Sequence, residues 1–285
     1  MKTFCIHHND ADGRASAAIV RRALGPQTSM QEMNYGDLVP WETISEMDRV
    51  VMVDFSLPAS EMQRLALGRD FIWIDHHISA LEDLADISAA WPGLRDTGEA
   101  ACVLTWRYFF PEKPLPRALV LIGDRDIWRW AEEDTGSFDE GLYQKDTNPE
   151  NDELWTPLLE DNLQVVSQLI TQGSVLHEAR LRAIYREVNH YGFPATFEGY
   201  PTLVINRRGN GDLGEMIRQA GYQVAYCYVD NFQNGKLMTF VTLYSSEVDV
   251  SQIASKFGGG GHPGASGFSF ERGASPFPPG ARFSW

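Results

Sequence analysis

Short apolar runs alternate with helix-like segments through the first ninety residues. Strands are predicted at residues 2–8, 31–35, 49–53 and 71–74, with helices at 14–24 and 57–66 between them. Strands separated by helices of this length indicate βαβ units and a parallel sheet. Four consecutive apolar residues at 71–74 are typical of a strand buried on both faces. The pattern therefore predicts an α/β fold with a parallel, doubly wound N-terminal domain.

The pattern changes after residue 91. Helices are predicted at 97–110, 115–122, 158–171 and 175–188, followed by the helix-breaking stretch 191–194. Strands are then predicted at 202–206, 223–229 and 238–244, with a helix at 213–220. We expect a first domain at 1–190 that includes connecting helices, and a smaller α/β domain with a mixed sheet at 193–285. The Pro- and Gly-rich tail at 273–285 is expected to be irregular.

Polar side chains follow three of the predicted strands at the point where each strand ends. They are His8, Asp10, Asp12, Asp54, Asp75, His76 and His77. The carboxyl ends of parallel strands meet at one edge of a sheet, where ligands bind in open α/β folds. Asp124 and Asp126 are further candidates for this edge. The sequence therefore predicts a cleft rich in carboxylates and imidazoles.

So many carboxylates in one cleft cannot all stay ionised without help, so either some are protonated or divalent cations neutralise them. Carboxylates mixed with neutral imidazoles favour six-coordinate Mn²⁺ or Mg²⁺. We prefer Mn²⁺ because imidazole is a poor partner for Mg²⁺. Two ions about 3.5–4 Å apart that share one carboxylate would suit phosphoryl transfer to water.

The composition limits the classes of partner that the protein is expected to bind. A formal charge of -15 argues against a grip on long nucleic acids, which requires a positive surface. No apolar run approaches the ~20 residues of a membrane span, and no signal peptide is apparent. The three cysteines show no paired spacing, which suggests free thiols in a reducing compartment. We expect a cytoplasmic protein without membrane contact, and the sequence leaves open whether it forms a homodimer.

Several motifs, taken together and in order, resemble the DHH phosphoesterase family with its DHH-associated C-terminal domain. They are the segments 8–13 (HNDADG), 53–54 (VD), 75–77 (DHH) and 258–262 (GGGGH), together with a late Asp. The resemblance covers nearly the whole chain. Within the family, the first motif and the segment 126–130 (DIWRW) are most similar to the oligoribonuclease (nanoRNase) branch, which degrades very short RNA.

The resemblance implies a role for each site residue. His8, Asp10 and Asp54 would hold one metal ion. Asp12, Asp54, His76 and the late Asp would hold a second, which makes Asp54 the bridge. Asp75 would orient an imidazole and His77 would face the scissile phosphate. Asp126 fits the branch pattern better than Asp124, which is kept as the alternative.

The second domain would bind the substrate. Consecutive glycines are costly in a regular element, but in a loop they let backbone N–H groups approach an anion. The resemblance to the family's second domain implies that the nucleotide is contacted by Gly259, Gly260, Gly261 and His262. Arg207 and Arg208, which follow a predicted strand, are candidates to contact phosphate or base.

The sequence therefore predicts a Mn-dependent, exonuclease-like phosphodiesterase that uses a metal-activated hydroxide. Its expected substrates are short oligoribonucleotides, dinucleotides or a nucleoside 3′,5′-bisphosphate, cleaved to mononucleotides. One alternative is a pyrophosphatase or exopolyphosphatase that hydrolyses phosphoanhydrides with the same metal set. Another is a non-catalytic nucleotide-binding sensor, which the filled ligand positions argue against.

Overall fold

The computed structural model describes the backbone of residues 1–285 and the side chains of all of them except residue 218. The chain divides into two compact units, Met1–Leu176 and His177–Trp285. The division falls inside one long helix, Leu163–Tyr191, and the limits predicted from the sequence lie near the end of that helix. None of the described helices has the length and apolar character needed to cross a membrane.

A parallel four-stranded sheet forms the centre of the first unit. Its strands are β1 (Thr3–His7), β2 (Ser29–Glu32), β3 (Arg49–Val53) and β4 (Asp70–Ile74). Its helices are α1 (Ala11–Leu24), α2 (Trp41–Ser45), α3 (Ala59–Ala66), α4 (Ile78–Asp83), α5 (Ala85–Ser88), α6 (Ala101–Phe109), α7 (Arg117–Asp126), α8 (Thr135–Tyr143) and α9 (Asp152–Leu159), followed by α10 (Leu163–Tyr191). The strand order is β2-β1-β3-β4, and every pair is parallel.

Both faces of this sheet are covered by helices. Along β3, Val50 and Met52 pack in the apolar cluster that includes residues of α2 and α3. Val51 and Val53 point the other way and pack in the cluster that includes residues of α1 and α6. The alternation follows from the two-residue period of a strand, and burial on both faces explains the continuous apolar runs. The predicted doubly wound parallel fold is confirmed.

The helical part differs from the prediction in two places. The acidic run at 150–160 by itself predicts a solvated face or loop, but α9 lies there with Leu154, Trp155, Leu158 and Leu159 buried. The many acidic residues of this segment hide an apolar stripe of helical period. The helices predicted at 158–171 and 175–188 are largely the single helix α10. Gly173, inside it, lies against α8, where a Cβ atom would come within 1.9 Å of the Ser137 carbonyl oxygen.

The second unit contains a mixed seven-stranded sheet. Its strands are β5 (Phe193–Phe197), β6 (Tyr200–Asn206), β7 (Val224–Gln233), β8 (Lys236–Tyr244), β9 (Gly260–His262), β10 (Ala265–Glu271) and β11 (Phe283–Ser284), and its helices are α11 (Gly211–Gln219) and α12 (Val250–Lys256). The order is β11-β5-β6-β7-β8-β10-β9, in which only β6 and β7 pair in parallel. The predicted mixed sheet is confirmed. The tail expected to be irregular carries β11 and buries Phe277 in the core.

A tight junction joins β1 to α1. The helix begins at Ala11, three residues earlier than predicted, and the Asp10 carboxylate caps it by accepting a 2.9 Å hydrogen bond from the Gly13 N–H. A Cβ atom at Gly13 would lie 2.5 Å from the carbonyl oxygen of His8 and 2.9 Å from its nitrogen. Only glycine therefore lets the first turn of α1 lie against the backbone that carries His8.

We expect Gly13→Ala to destabilise the first unit by about 1–3 kcal/mol, because the added methyl group must push the His8 backbone away. Urea unfolding followed by circular dichroism measures this loss. Gly273→Ala is the matched control, since a Cβ atom there meets nothing within 4 Å. An unchanged unfolding midpoint for Gly13→Ala would contradict the close approach.

Candidate metal centre

The polar side chains predicted at the strand ends lie together at the carboxyl edge of the parallel sheet. Within the part of the chain that the structure describes, three groups bring one potential ligand atom per residue within 4.8 Å of one another. They are His8, Asp10 and Asp54; Asp12, His76 and Asp126; and Asp54, His76 and His77. Asp54 and His76 each belong to two groups. The groups therefore form one continuous cluster.

Asp54 lies at the junction of these groups. Its side chain is buried, and its backbone has a φ of 54°, a left-handed conformation that is uncommon for residues other than glycine. Its Oδ1 atom lies 3.2 Å from His76 Nε2, and its Oδ2 atom lies 3.9 Å from His8 Nδ1. Strained residues of this kind are frequent at functional sites. The backbone strain thus coincides with the residue shared by two groups.

Several oxygen atoms of the cluster lack the partners that buried carboxylates normally have. Both oxygens of Asp54 and Oδ2 of Asp126 are buried and accept no hydrogen bond from any described residue. His76 Nε2 lies 3.3 Å from this Asp126 oxygen. A buried carboxylate without a partner is costly, and a cation between such oxygens and an imidazole nitrogen would remove that cost. Carboxylates with imidazoles are also a suitable donor set, so the residues fit divalent cations.

The electrostatics of the cluster support the same conclusion. Burial raises the pKa of Asp54 well above its ordinary value, and the charges of Asp10 and Asp12 raise it further. Burial likewise raises the pKa of Asp126, again with help from Asp12 and Asp10, while the Arg125 charge lowers it. Without a cation, the cluster therefore favours protonated carboxyl groups. A bound cation would reverse this preference.

Asp12 is held by the first turn of a helix. Its two carboxylate oxygens accept hydrogen bonds of 2.8 Å from the backbone N–H groups of Ala101 and Cys102, at the start of α6. A helix N-terminus stabilises a negative charge through its free N–H groups and its dipole. The sequence does not reveal this contact, because two alanines before a helical pattern carry no capping signal. The remaining carboxylate lone pairs are free to face the cluster.

Asp75 orients His77. Its Oδ1 atom accepts hydrogen bonds from the backbone N–H of His76 at 2.7 Å and from Nδ1 of His77 at 2.7 Å. Because a carboxylate only accepts, this bond assigns a proton to Nδ1 and directs Nε2 away from Asp75. Burial disfavours the charged imidazole, but the hydrogen bond and charge of Asp75 outweigh it and raise the pKa of His77.

The two late aspartates have different surroundings. The Asp124 carboxylate accepts hydrogen bonds from Ala131 N at 2.8 Å, Glu132 N at 3.2 Å and Thr135 Oγ1 at 2.5 Å. It thus shapes the turn after α7, and it belongs to none of the three groups. Asp126 belongs to one of them. The geometry favours Asp126 as the late carboxylate of the cluster, and the alternative of Asp124 is at odds with its contacts.

An aromatic side chain beside the cluster was not predicted. The Tyr35 ring lies 4.9 Å from that of Phe55 and 6.1 Å from that of His8, and 62% of the residue is exposed. Phe55 directly follows Asp54 and is buried. In the sequence, Tyr35 ends the strand predicted at 31–35 and belongs to no motif, whereas β2 ends at Glu32. Only the fold brings it next to His8.

The residues predicted to bind substrate lie in the second unit. Arg207, Arg208 and Gly259 line a cavity of about 580 Å³ on one face of the mixed sheet. Arg207 also pairs with Glu187, with 2.7 Å between Nη1 and Oε2. Substrate contact by these residues stays a prediction. Because these three residues line one cavity, that cavity is where the substrate contact is expected.

The glycine run is only partly a loop, so the expectation of four glycines outside regular structure is wrong for two of them. Gly260 and Gly261 lie in β9 with His262 and pair with β10. A Cβ atom at Gly259 would lie 2.0 Å from the carbonyl oxygen of Gly267, so this glycine serves strand packing. The close approach of β10 makes glycine necessary here, and the sequence does not reveal such an approach.

Comparisons with known proteins agree with the family resemblance of the sequence motifs. Residues 2–119 match the model of the DHH family, N-terminal domain. An uncharacterized protein of Acanthamoeba polyphaga mimivirus is 30% identical over 237 residues, which are 80% of this chain and 55% of that protein. The chain thus spans about half the length of this curated relative.

Two solved structures share the fold. The DHH domain of a protein described as a member of a family of ribosomal proteins has a TM-score of 0.61 at 15% identity, over 93% of this chain and 82% of that chain. The pGpG-specific phosphodiesterase PggH of Vibrio cholerae has a TM-score of 0.54 at 12% identity, over 95% and 94% of the two chains. At these identities the likeness concerns the fold alone. The family match, together with the motifs, identifies residues 2–119 as a DHH-family N-terminal domain.

Proposed function

We propose that this metal-dependent phosphoesterase hydrolyses phosphodiester bonds in short nucleotides and releases mononucleotides. The observation that carries the proposal is the pair of neighbouring ligand groups that meet at Asp54 and His76, with carboxylate oxygens that are buried and accept no hydrogen bond from the described residues. Two adjacent cation sites with shared ligands suit hydrolysis at phosphorus. Short oligoribonucleotides, dinucleotides and nucleoside 3′,5′-bisphosphates are the proposed substrates.

The residues of the cluster would hold two divalent cations. His8, Asp10 and Asp54 would hold one, while Asp12, Asp54, His76 and Asp126 would hold the other. When bound, such ions supply Lewis acidity, lower the pKa of water and neutralise negative charge at the phosphoryl group. We propose Mn²⁺ as the preferred ion because the donor set includes imidazoles, which suit Mg²⁺ poorly.

His77 would contact the phosphoryl group. Asp75 fixes its ring through Nδ1, and in the metal-free protein the hydrogen bond and charge of Asp75 raise the pKa of the imidazole. A protonated Nε2 would donate a hydrogen bond to a phosphoryl oxygen and so help to hold the phosphate in one orientation. The role of Asp75 is to keep that donor in place.

The proposed substrate length rests on charge and on the second unit. A chain with a net charge of -15 lacks the basic surface that holds a long phosphate backbone. The cavity lined by Arg207, Arg208 and Gly259 would take one nucleotide portion, with His262 on the neighbouring β9. A structural neighbour described as specific for pGpG, itself a dinucleotide, motivates the choice of dinucleotides. A cytoplasmic location is proposed because the three cysteines are buried free thiols.

A panel of substrates with Mn²⁺ tests the proposal. We expect hydrolysis of dinucleotides and of adenosine 3′,5′-bisphosphate, falling with increasing RNA length, and little release of phosphate from pyrophosphate. Asp54→Asn should lower the rate by more than about 100-fold, because even a residue that only supports a metal ligand is worth 10–100-fold. Brisk hydrolysis of pyrophosphate without cleavage of any dinucleotide would establish the phosphoanhydride alternative instead. A wild-type protein that binds dinucleotides and cleaves nothing would be a sensor.

Metal binding should strengthen as pH rises. Asp54 and Asp126 have raised pKa values in the metal-free folded protein. The metal-free protein therefore loses stability as pH rises from the carboxyl pKa of the unfolded chain, about 4, through these raised values. Protons and cations compete for the same oxygens. Saturating Mn²⁺, at ~100 times its Kd, should add about 2.7 kcal/mol. Thermal unfolding with Mn²⁺ and with chelator should therefore show a larger difference near pH 8 than near pH 5.5, and an equal difference would contradict competition at these carboxylates.

The two late aspartates should differ in what they support. Asp126→Ala should abolish most of the Mn²⁺-induced thermal shift and leave the metal-free protein as stable as the wild type or more so, because it removes a repelling buried carboxylate. Asp124→Ala should lower the unfolding temperature of the metal-free protein, because it leaves the N–H groups of Ala131 and Glu132 without their acceptor. The same calorimetric scan measures both effects. The reverse result would assign the ligand role to Asp124.

A further inference from the structure

A basic side chain, Arg125, stands beside the metal cluster and supplies no ligand to its three groups. Arg125 lines a cavity of about 180 Å³ together with Asp10, Asp12 and Asp126. It is the one basic side chain among the described residues that line this cavity, and neither Asp54 nor His77 borders it. The cavity therefore borders ligand residues of both proposed cation sites without including Asp54 or His77 in its lining.

The guanidinium group of Arg125 is held from several sides. It lies 5.7 Å from the ring centre of Trp128 and 5.3 Å from that of Trp130, within the range of cation–π attraction. Its Nε atom is 3.5 Å from Asp139 Oδ2, and 28% of the side chain is exposed. A long side chain fixed in this way gives up little further freedom when it binds a ligand.

The turn that supplies the two rings is strained. Trp128 has a φ of 62° and Trp130 a φ of 52°, a conformation that costs roughly 1–2 kcal/mol for each residue other than glycine. Asp124 enforces the turn: its carbonyl oxygen accepts from Arg129 N at 3.0 Å, and its carboxylate accepts from Ala131 N at 2.8 Å. Strain that the surroundings impose is frequent where a ligand is held. Here it places two tryptophan rings against Arg125.

A guanidinium group in this position suits a phosphate. Arginine stays charged at every relevant pH and offers five donors in a planar fork that matches phosphate oxygens. Asp139 lies near one of these donors, the Nε atom of Arg125. A cavity of about 180 Å³ has room for several water molecules, and hence for a phosphate group. Asp139 also lines the cavity and offsets the charge of Arg125, so once cations neutralise Asp10, Asp12 and Asp126 the guanidinium group offers a phosphate mainly its remaining hydrogen-bond donors.

We propose that Arg125 binds a second phosphate group of the substrate, one that is not cleaved, and thereby makes the enzyme prefer short substrates with a terminal phosphate. The proposal deepens the proposed function and rests on it. Arg125 is then a residue that determines specificity, whereas the two ligand groups and His77 serve the bond that breaks.

The test measures binding, independently of turnover. Diadenosine with a hydrolysis-resistant methylphosphonate linkage would be prepared with a 5′-phosphate, with a 3′-phosphate and without a terminal phosphate. Fluorescence anisotropy with Mn²⁺-loaded protein gives each affinity. We expect one terminal phosphate to raise the affinity of the wild type about 10-fold or more, as a charge-assisted hydrogen bond does. Arg125→Gln should remove this preference, and Arg125→Lys should keep part of it.

Arg129→Gln is the matched control, because Arg129 lies in the same turn but its guanidinium donates to the carbonyl oxygen of Gly98 at 2.8 Å. It should keep the full preference for a terminal phosphate. The Mn²⁺-induced thermal shift of Arg125→Gln should equal that of the wild type. Loss of that shift would assign Arg125 to the metal groups and overturn the proposal.

Two further results would also overturn it: equal affinity of the wild type for all three ligands, or a preference that persists in Arg125→Gln. The proposed function fails differently, through a wild type that cleaves no phosphodiester in the substrate panel. In that case a binding preference that depends on Arg125 would still show a phosphate site in this cavity. The end of the dinucleotide that carries the preferred phosphate follows from the 5′ and 3′ forms.

Discussion

Mutual repulsion among buried carboxylates is the constraint on which the first unit depends. Burial already disfavours the ionised form of Asp54, and the charges of Asp10 and Asp12 raise its pKa further. Backbone groups hold these carboxylates together: the start of α6 donates two N–H groups to Asp12, and the N–H of Gly13 caps Asp10. The arrangement is favourable only if protons or cations neutralise it. The buried oxygens of Asp54, which accept no hydrogen bond from the described residues, fit cations in this role.

The turn after α7 links the cluster to the cavity beside it. Of the two aspartates at the end of α7, Asp126 belongs to a ligand group, and Asp124 uses its oxygens to hold the turn that follows the helix. Two tryptophans in left-handed backbone conformations then surround Arg125. With cations bound at the negative cluster, the cluster and the guanidinium group of Arg125 would together suit the proposed substrate that carries more than one phosphate. The strained backbone at Trp128 and Trp130 thus lies within a few residues of both the cluster ligand Asp126 and Arg125.

The sequence by itself determined the parallel sheet, its helices and the edge at which the polar residues meet, because apolar runs of strand length and their polar ends are local patterns. It also indicated His8, Asp54 and His76 as cluster members through motifs of fixed spacing. It did not determine the helix α9, whose acidic residues concealed Leu154 and Trp155, nor the short strands at the ends of the second sheet. Such elements are stabilised by contacts with residues that are distant in the chain.

Only the tertiary structure decided the surroundings of each site residue. Asp124 and Asp126 stand two residues apart in the same helix, yet one meets N–H groups and the other meets His76. The support of Asp12 by α6 joins residues about ninety positions apart. Gly259 is required by the carbonyl oxygen of Gly267, which belongs to another strand. Hydrogen bonds, ion pairs and close approaches depend on distances in space, which residue type and spacing do not fix until the chain has folded.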